Sequence, residues 1–566
     1  MIKQKILEDL KKAAEDLGYP ATDIVLSIPK NPSFGDYSTN LALQLAKLKS
    51  TGDKQSPTEI ANEIVKKLLS FDSAQDNFKE IKIAGQGFIN FFIKDQELIK
   101  KMSKASLLHR VKNQRKIFIE YGHTNPLKEV HIGHLRTFIL GESLARILES
   151  LGNQVFRANY QGDIGLHIAK AVWGMKKIGL PTQELTLQEK AEFMGRAYAE
   201  GNRVYEENPG SKKEIDRINA ALYQKDLEFK EIYELARKWS LDYFEPIYEL
   251  LGVKYDRCFF ESEVFQGGKK IVMENLGKVF MEDEGAVIFP GEKYGLHNRV
   301  FITSAGYATY EGKEIGLAKL EYDACNYDNA IHVVGSEQEG YFQVVICAIE
   351  RIFPHLKGKK YHLSYGMVDL SEGKMSSRTG NVVTVDDLYH IVCEKVREIM
   401  KTTRTSIDQE VVKQVALGAI KFSYLKFSPR PNIVFDLEQS VSLDGDSGPY
   451  VQYTFARIQS VLRNAKLSNL SVLGDLSNLN PEKQERPLLR HLMYFEDVVF
   501  EAAASYHPNL LATYLIELSK LYNLFYQECR VIGSEKESFR LKLSSEVGQV
   551  LRVGLNLLGI EAPDKM

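Results

Sequence analysis

A strand, a histidine-bearing loop, a helix and a second strand follow one another without a break between Lys116 and Tyr160. Lys116-Ile117-Phe118-Ile119-Glu120-Tyr121 has the apolar run of a buried strand, and Gly122 to Val130 makes a loop. From about Gly133 to Leu151 the residues Leu135, Phe138, Leu144, Leu148 and Leu151 are spaced for one helix face, which Gly152-Asn153 closes. Gln154 to Tyr160 is strand-like again. This order restricts the chain to the first half of a parallel nucleotide-binding sheet, whose ligand sits beyond the carboxyl ends of the strands and at the helix start. His131-Ile132-Gly133-His134 falls at that helix start. A single histidine there is most often a cap or a satisfied core residue, whereas two on one first turn, with glycine between them, read as phosphate-facing imidazoles.

A second motif lies far downstream. Tyr365-Gly366-Met367-Val368 is an apolar strand leading into Gly373-Lys374-Met375-Ser376-Ser377-Arg378-Thr379-Gly380-Asn381, and Val382 to Leu388 leads out towards a capped helix. Alone, such a polar segment between glycines is a solvated surface loop. At a strand end, a flexible cationic loop suits a lid that closes over pyrophosphate. The two motifs together supply what nucleotide activation needs: donors for one phosphate and a mobile charge for the far end of a triphosphate.

Both motifs resemble those of the class I aminoacyl-tRNA synthetases. A narrower resemblance, to the arginyl-tRNA synthetases, is carried by Glu120-Tyr121-Gly122-His123-Thr124-Asn125-Pro126, by the segment from Ser440 to Tyr453 and by the terminal Leu558 to Met566, and it runs from near residue 20 to the last. It implies an ATP-dependent enzyme, with Mg²⁺ accompanying the nucleotide, that links L-arginine to arginine tRNA. In that frame His131 and His134 stabilise the phosphates and Gly133 lets adenosine approach. Lys374 neutralises departing pyrophosphate, and Met367, Val368, Met375 and Ser376 complete the ATP site. Many class I enzymes carry a second lysine where this chain has Ser377; Lys128, three residues before His131, stands in a loop facing the same site and is the implied substitute, against the plain alternative of a solvated lysine.

A guanidinium is planar, always charged and best held by carboxylates, so an arginine pocket needs acids that a neutral-substrate pocket would lack. Tyr310 and Glu314, four residues apart, share one helix face, and Gln338 follows the strand Ile331 to Val334. By resemblance Asn125 and Gln338 hold the α-amino and carboxylate end, Tyr310 lines the pocket, and Glu314 with Glu120 faces the guanidinium. Glu314 stands where the family usually has aspartate, and its longer arm requires a reshaped pocket. The Gly162-Asp163-Ile164-Gly165 turn also matches, although His167 replaces a more usual glutamine nearby; the turn is expected to do structural work.

Three regions follow: an N-terminal α+β domain over 1–108, a Rossmann-type parallel-sheet catalytic domain over 109–430 with an insertion at about 185–295, and an all-α helical bundle over 431–566. From its residues the first is a folding or docking module; in the resembled family it meets the tRNA corner that carries the D loop. In the bundle, Pro508 suits a first turn, and Leu511, Leu515, Leu518, Leu521 and Phe525 form one apolar stripe. Tyr522, Tyr526 and Arg530 lie along another face, either as half-buried packing or as a stack for unpaired bases, and the resemblance favours anticodon binding.

A net charge of −2 carries no global nucleic-acid signature, so any tRNA contact needs local basic patches, such as those around Lys100 to Lys116 and Lys401 to Arg430. Five dispersed cysteines without a C-x-x-C pair indicate neither a zinc site nor a disulfide framework, and no stretch approaches membrane-spanning length. The expectation is a soluble cytoplasmic monomer that binds neither membrane nor DNA. A class I paralogue adenylating another acid, or a non-catalytic tRNA-binding protein, are the alternatives; the intact His131, His134 and Lys374 weigh against the latter.

Overall fold

The computed structural model describes residues 2–20, 23–48, 55–371, 383–401, 407–465 and 479–566. At its centre are five parallel strands: β1 (Lys116–Glu120), β2 (Gln154–Gln161), β3 (Arg257–Phe260), β4 (Asn329–Gly335) and β5 (Lys360–Tyr365). They lie in the order β5-β4-β1-β2-β3, so the chain reverses its direction of growth between β1 and β4. A crevice at such a switch point is where a parallel sheet receives ligands. Register aligns Phe118 with Phe156, and the Phe118 ring lies 5.8 Å from Phe156, 6.1 Å from Phe259 and 5.6 Å from Tyr327. These aromatics bury one face of β1 to β3 beneath the crevice.

The crossover helix α1 (Ile132–Ser150) is buried on more than the single predicted face, since Ile139, Leu140, Ala145 and Ile147 are covered along with Leu135, Phe138, Leu144 and Leu148. One side rests on the sheet, and the other on the helices Gln409–Leu425, Phe495–Ser505 and Glu537–Leu557. A helix apolar all round is one enclosed by the fold.

Two expectations need correction. Arg257–Phe260, inside the span predicted as one insertion, returns to the sheet as β3. The inserted material is therefore split into helices between β2 and β3, ending with Lys230–Leu251, and an antiparallel three-stranded sheet over Met281–Ile302. Four residues are too short for a periodicity to distinguish an outer sheet strand from a turn. The polar composition of Ser468 to Arg486 predicts an exposed loop; 466–478 lies outside the described residues, and Glu485 and Arg486 already belong to the helix Glu485–Met493.

The N-terminal sheet is antiparallel and four-stranded, with Phe78–Ala84 at one edge. It docks on the C-terminal bundle through Asp36, which is 1% exposed. Its carboxylate accepts from Arg490 Nε at 2.9 Å, Arg486 Nη2 at 3.2 Å and the Ile93 amide at 2.8 Å, while its carbonyl takes the Tyr494 hydroxyl at 2.6 Å. Tyr37 beside it donates to Asp497 at 2.6 Å. Among the described residues no helix is long and apolar enough to cross a membrane.

Removing one partner of a buried ion pair strands the other. Asp36→Ala is expected to cost about 3–5 kcal/mol of stability and to release the N-terminal region to proteolysis. An unchanged denaturation midpoint and digestion pattern would show that docking rests on the apolar contacts instead.

Candidate active site

Where β1 ends, the backbone is forced into rare conformations. Gly122, His123 and Leu127 have φ of 103°, 52° and 66°, and left-handed non-glycine residues of this kind persist only where their surroundings hold them. His123 is held by its amide, which donates to Asn159 Oδ1 at 3.0 Å, and by its Nε2, 3.2 Å from the Val333 carbonyl. Thr137 of α1 closes the switch point, accepting from the Gly122 amide at 3.1 Å and donating to the Val333 carbonyl at 3.0 Å.

His131 is the N-cap of α1: its Nδ1 accepts from the Gly133 amide at 3.1 Å, and the Nδ1 of His134 accepts from the His131 amide at 3.2 Å. Since both Nδ1 atoms accept, each ring carries its hydrogen on Nε2 and keeps that N–H as a donor. Burial, then the neighbouring imidazole, pushes His134 down to about 3. His131 is lowered too, by burial and then by Lys128. Both are neutral donors at a helix N-terminus. Gly133 is required here in a way the sequence did not suggest, because a Cβ would sit 2.9 Å from His131 Cε1. The glycine makes room for the histidine ring.

The lid motif itself, with Lys374, Met375 and Ser376, lies outside the described residues. Its flanks do not. After it, the Ile132 amide donates to Val383 O at 3.1 Å and the Val385 amide to Val130 O at 3.0 Å, and Thr384 caps the helix Val385–Lys401 with Asp387. Before it, Arg136, 2% exposed, donates to the carbonyls of Gly366 at 2.9 Å and Met367 at 3.2 Å, and also to those of Ser428 at 3.3 Å and Pro429 at 2.7 Å. Both ends of the lid are thus fastened to the first turns of α1. Arg136 was not singled out from the sequence, where nothing marks it except two residues of distance from His134.

A cleft of 630 Å³ opens at the switch point and gathers most of the predicted residues: Glu120, Asn125, His131, Gly133, His134, Tyr310, Glu314, Gln338, Met367 and Val368 all line it. Lys128 is not among its lining; it is exposed, with its ammonium 5.7 Å from the centre of the Tyr198 ring. Tyr310 is 63% exposed at the rim. Asn125 gives its carbonyl oxygen to the Gly162 amide at 2.9 Å, leaving the side-chain amide hydrogens for the cleft. Asp163 behind it is fully buried and binds Ser262, Tyr233 and Arg237, so the turn joins β2 to the inserted helices.

The acids of the cleft fall into two groups. Glu261 pairs with Lys313 at 2.6 Å, Glu311 with Arg299 at 2.9 Å, and Glu321, beneath the floor, with Lys360. Among the described residues Glu120 and Glu314 have no such cation, and Glu120 Oε2 is buried with no hydrogen-bond partner. Burial, and then the charges of Glu120 and Glu321, holds the Glu314 carboxyl well above the usual range. The Tyr341 hydroxyl hydrogen-bonds to it. Tyr341, Lys313 and Lys360 were also missed, being far from Glu314 or Glu120 in sequence or hidden within ordinary elements.

In the helical bundle Tyr522 is fully buried, its hydroxyl 3.2 Å from Ser544 Oγ, so it is core and cannot stack on a base. The four-residue step from Tyr526 placed it on the seam rather than the surface. Tyr526 and Arg530 do line a 770 Å³ groove, together with Tyr453 and Arg457; the Arg457 guanidinium lies 4.9 Å from the Tyr453 ring and 5.3 Å from that of Tyr526. Lys421, counted in a basic patch, is also buried and donates to Leu251 O and Gly559 O.

Three family profiles match the chain: tRNA synthetases class I (R), catalytic domain, over residues 96–437; the DALR anticodon binding domain over 451–566; and the arginyl tRNA synthetase N terminal domain over 1–93. The arginine-tRNA ligase of Bacteroides thetaiotaomicron is 32% identical over 551 residues, 91% of each chain, and that of Bacteroides fragilis 30% identical over 592 residues, 98% of each. Among solved structures, the Thermus thermophilus arginyl-tRNA synthetase superposes with a TM-score of 0.85 at 26% identity, each chain covered completely.

The buried histidines make stability depend on pH. Burial holds His134 and His332 at about 3 and His167 and His491 at about 4. Unfolded histidine binds a proton below about 6.5, so in the window from 6.5 down to 4 the unfolded chain holds more protons and stability falls as pH falls. Each should contribute on the order of 1–2 kcal/mol of loss by pH 5. Urea melts from pH 7.5 to 4.5 test this, and a flat midpoint across the range would contradict it.

Proposed function

The chain belongs to the class I arginyl-tRNA synthetases, and from that membership we propose how its cleft divides the work of attaching arginine to tRNA at the expense of ATP. The observation that carries the reading is the pair of buried acids that have no cationic partner among the described residues, Glu120 and Glu314. A substrate guanidinium supplies the missing charge and presents a planar fork to two carboxylates. Asn125 and Gln338 hold the α-amino and carboxylate end, and Tyr310 covers the rim.

The substrate carboxylate attacks the α-phosphorus of ATP and pyrophosphate leaves, so the protein mainly positions groups and stabilises charge. His131 and His134 do this as neutral Nε2–H donors rather than as cations. Positive charge comes from Lys374 and, in place of a lysine at Ser377, from Lys128, whose ammonium already lies near enough to lower His131. Mg²⁺ enters with the nucleotide. Gly133, Met367 and Val368 bound the adenosine, with Met375 and Ser376 of the lid. The arginyl group then passes to the terminal adenosine of tRNA.

The parts proposed for tRNA are the N-terminal domain drawn at 1–108, for the corner of the molecule, and the bundle drawn at 431–566, for the anticodon. In the bundle the groove of Tyr453, Arg457, Tyr526 and Arg530 replaces the predicted stripe containing Tyr522, since aromatic faces interleaved with guanidinium groups suit unpaired bases. All five cysteines are free thiols, consistent with work as a monomer in the cytoplasm.

Charging assays with each amino acid in turn, with tRNA and ATP present, test the substrate: arginine alone should be attached. Glu314→Gln should raise the arginine KM about 30-fold or more, the equivalent of at least about 2 kcal/mol for a stranded charge partner. In the wild type that KM should fall as pH rises, because a carboxyl whose pKa is raised must give up its proton to receive a guanidinium. Attachment of a different amino acid, or an unaltered arginine KM in Glu314→Gln, would overturn the pocket assignment.

A further inference from the structure

Beneath the cleft floor, four buried groups form a chain that crosses four elements. The helix α2 (Tyr310–Cys325) contributes Glu321, β5 contributes Lys360, β4 contributes His332 and β1 contributes Glu120. All are within a tenth of full burial: Glu321 is 0% exposed, His332 1%, Glu120 2% and Lys360 9%. Lys360 pairs with Glu321, and its ammonium lies 3.0 Å from His332 Nε2; His332 Nδ1 lies 3.3 Å from Glu120 Oε1. The ligand atoms of Glu120, Glu321 and His332 have the mutual spacing of a metal site. Lys360 supplies a positive charge at one end of this cluster, against Glu321 and His332 Nε2.

The polarity of this chain follows from what each group can do. An ammonium has three donors and no acceptor, so the contact with Lys360 requires His332 Nε2 to accept. The hydrogen of the neutral ring must then sit on Nδ1, where it points to Glu120 Oε1; Glu321 Oε1, 3.9 Å from the same nitrogen, is too far to compete. Burial, and then the charge of Lys360, holds His332 at about 3, so the ring stays neutral. The ring plane is fixed by Phe118 at 6.3 Å and Phe342 at 5.8 Å.

We propose that Lys360 and His332 are positioning residues for substrate selection: by fixing the imidazole tautomer they make Glu120 a pure acceptor, with Oε1 satisfied from below and Oε2 bare for the guanidinium. The idea rests on the arginine reading above. Without the lysine the ring could take the other tautomer, offering a lone pair to Glu120 Oε1. That oxygen would then have to carry a proton, and the pocket would lose the charge that distinguishes arginine from its neutral urea analogue, citrulline. Other titratable groups facing this chain are His123 from the loop after β1, Tyr160 from β2, Glu314 from α2, Tyr327, which lies against Lys360 just before β4, and His362 from β5.

The first test needs no substitution in the chain under study. In ¹⁵N-histidine-labelled wild-type protein, the His332 resonances, assigned by their loss in His332→Asn, should report hydrogen on Nδ1 and a bare Nε2; the opposite tautomer overturns the proposal whatever the substrate is. The second test is kinetic, with full-length enzyme and tRNA. His332→Leu removes the donor and should raise the arginine KM about tenfold while leaving the ATP KM within twofold, and citrulline should inhibit it more strongly relative to arginine. His332→Asn keeps an amide donor for Glu120 and should stay close to wild type. An arginine KM within twofold of wild type in folded His332→Leu, or equal rises in both KM values, would also overturn it. Failure of the arginine reading would appear separately, as absence of arginine charging by the wild type.

Discussion

One buried guanidinium ties the helix that begins at the histidine motif to two other segments of the chain, 366–367 and 428–429. Arg136 sits two residues past His134, sealed from water, and has four main-chain carbonyls but, among the described residues, no carboxylate. Burial lowers it to about 10, which still leaves it charged at neutral pH. Desolvating a charge is costly unless its donors are satisfied, so Gly366, Met367, Ser428 and Pro429 must all stay where the fork requires them. A lysine could not replace it, because the three hydrogens of a single ammonium cannot serve four carbonyls arranged around a planar fork. The start of the lid and the end of the catalytic region are thereby fastened to the helix whose first turn carries the histidines.

Above that joint, several acids in and beneath the cleft are paired internally, while Glu120 and Glu314 have no cation among the described residues. Glu261, Glu311 and Glu321 each have an internal cation, so they shape the walls without attracting one. The two unpaired acids then stand out in a low-dielectric site, where their attraction for a cation exceeds that of the same acids in water. This is how a chain of net charge −2 can be selective for a strongly positive side chain. At the other end of the cleft the logic is inverted. His131 and His134 are neutral, so in the reading proposed above they would meet the phosphates without carrying a buried charge, and the positive charge would be left to lysines.

Much of this was legible in the sequence because it is local. A helix start with two histidines, a strand before it, and an i, i+4 pair such as Tyr310 and Glu314 are short-range patterns, and ten of the residues so read line one cleft. What could not be read is whatever depends on elements meeting across the fold. Lys360 and Glu321 are ordinary residues of a strand and a helix until β5 is laid beside β4. Tyr522 and Tyr526 looked equivalent at four-residue spacing, yet one is in the core and the other in the groove, because the bundle seam falls between them. The outer strand β3 was lost inside an insertion for the same reason: its partner, β2, is distant in sequence.

The longer arm of Glu314 finds its explanation at the same level. α2 cannot retreat to make room for an extra methylene, because it crosses the helix Glu261–Glu274 at backbone contact: a Cβ on Gly268 would lie 2.1 Å from Gly312 O, and one on Gly316 2.4 Å from Val264 O. Glu314 lies between these two glycines, so its Cα position is fixed and the additional reach must be taken up by the carboxylate. It ends at the hydroxyl of Tyr341, on the helix Glu339–Ile352 that follows β4. A hydroxyl that donates to one oxygen leaves the other available and fixes the plane in which it is offered. An aspartate here would fall about a methylene short of that hydroxyl, so the length of the glutamate arm and the position of Tyr341 fit each other.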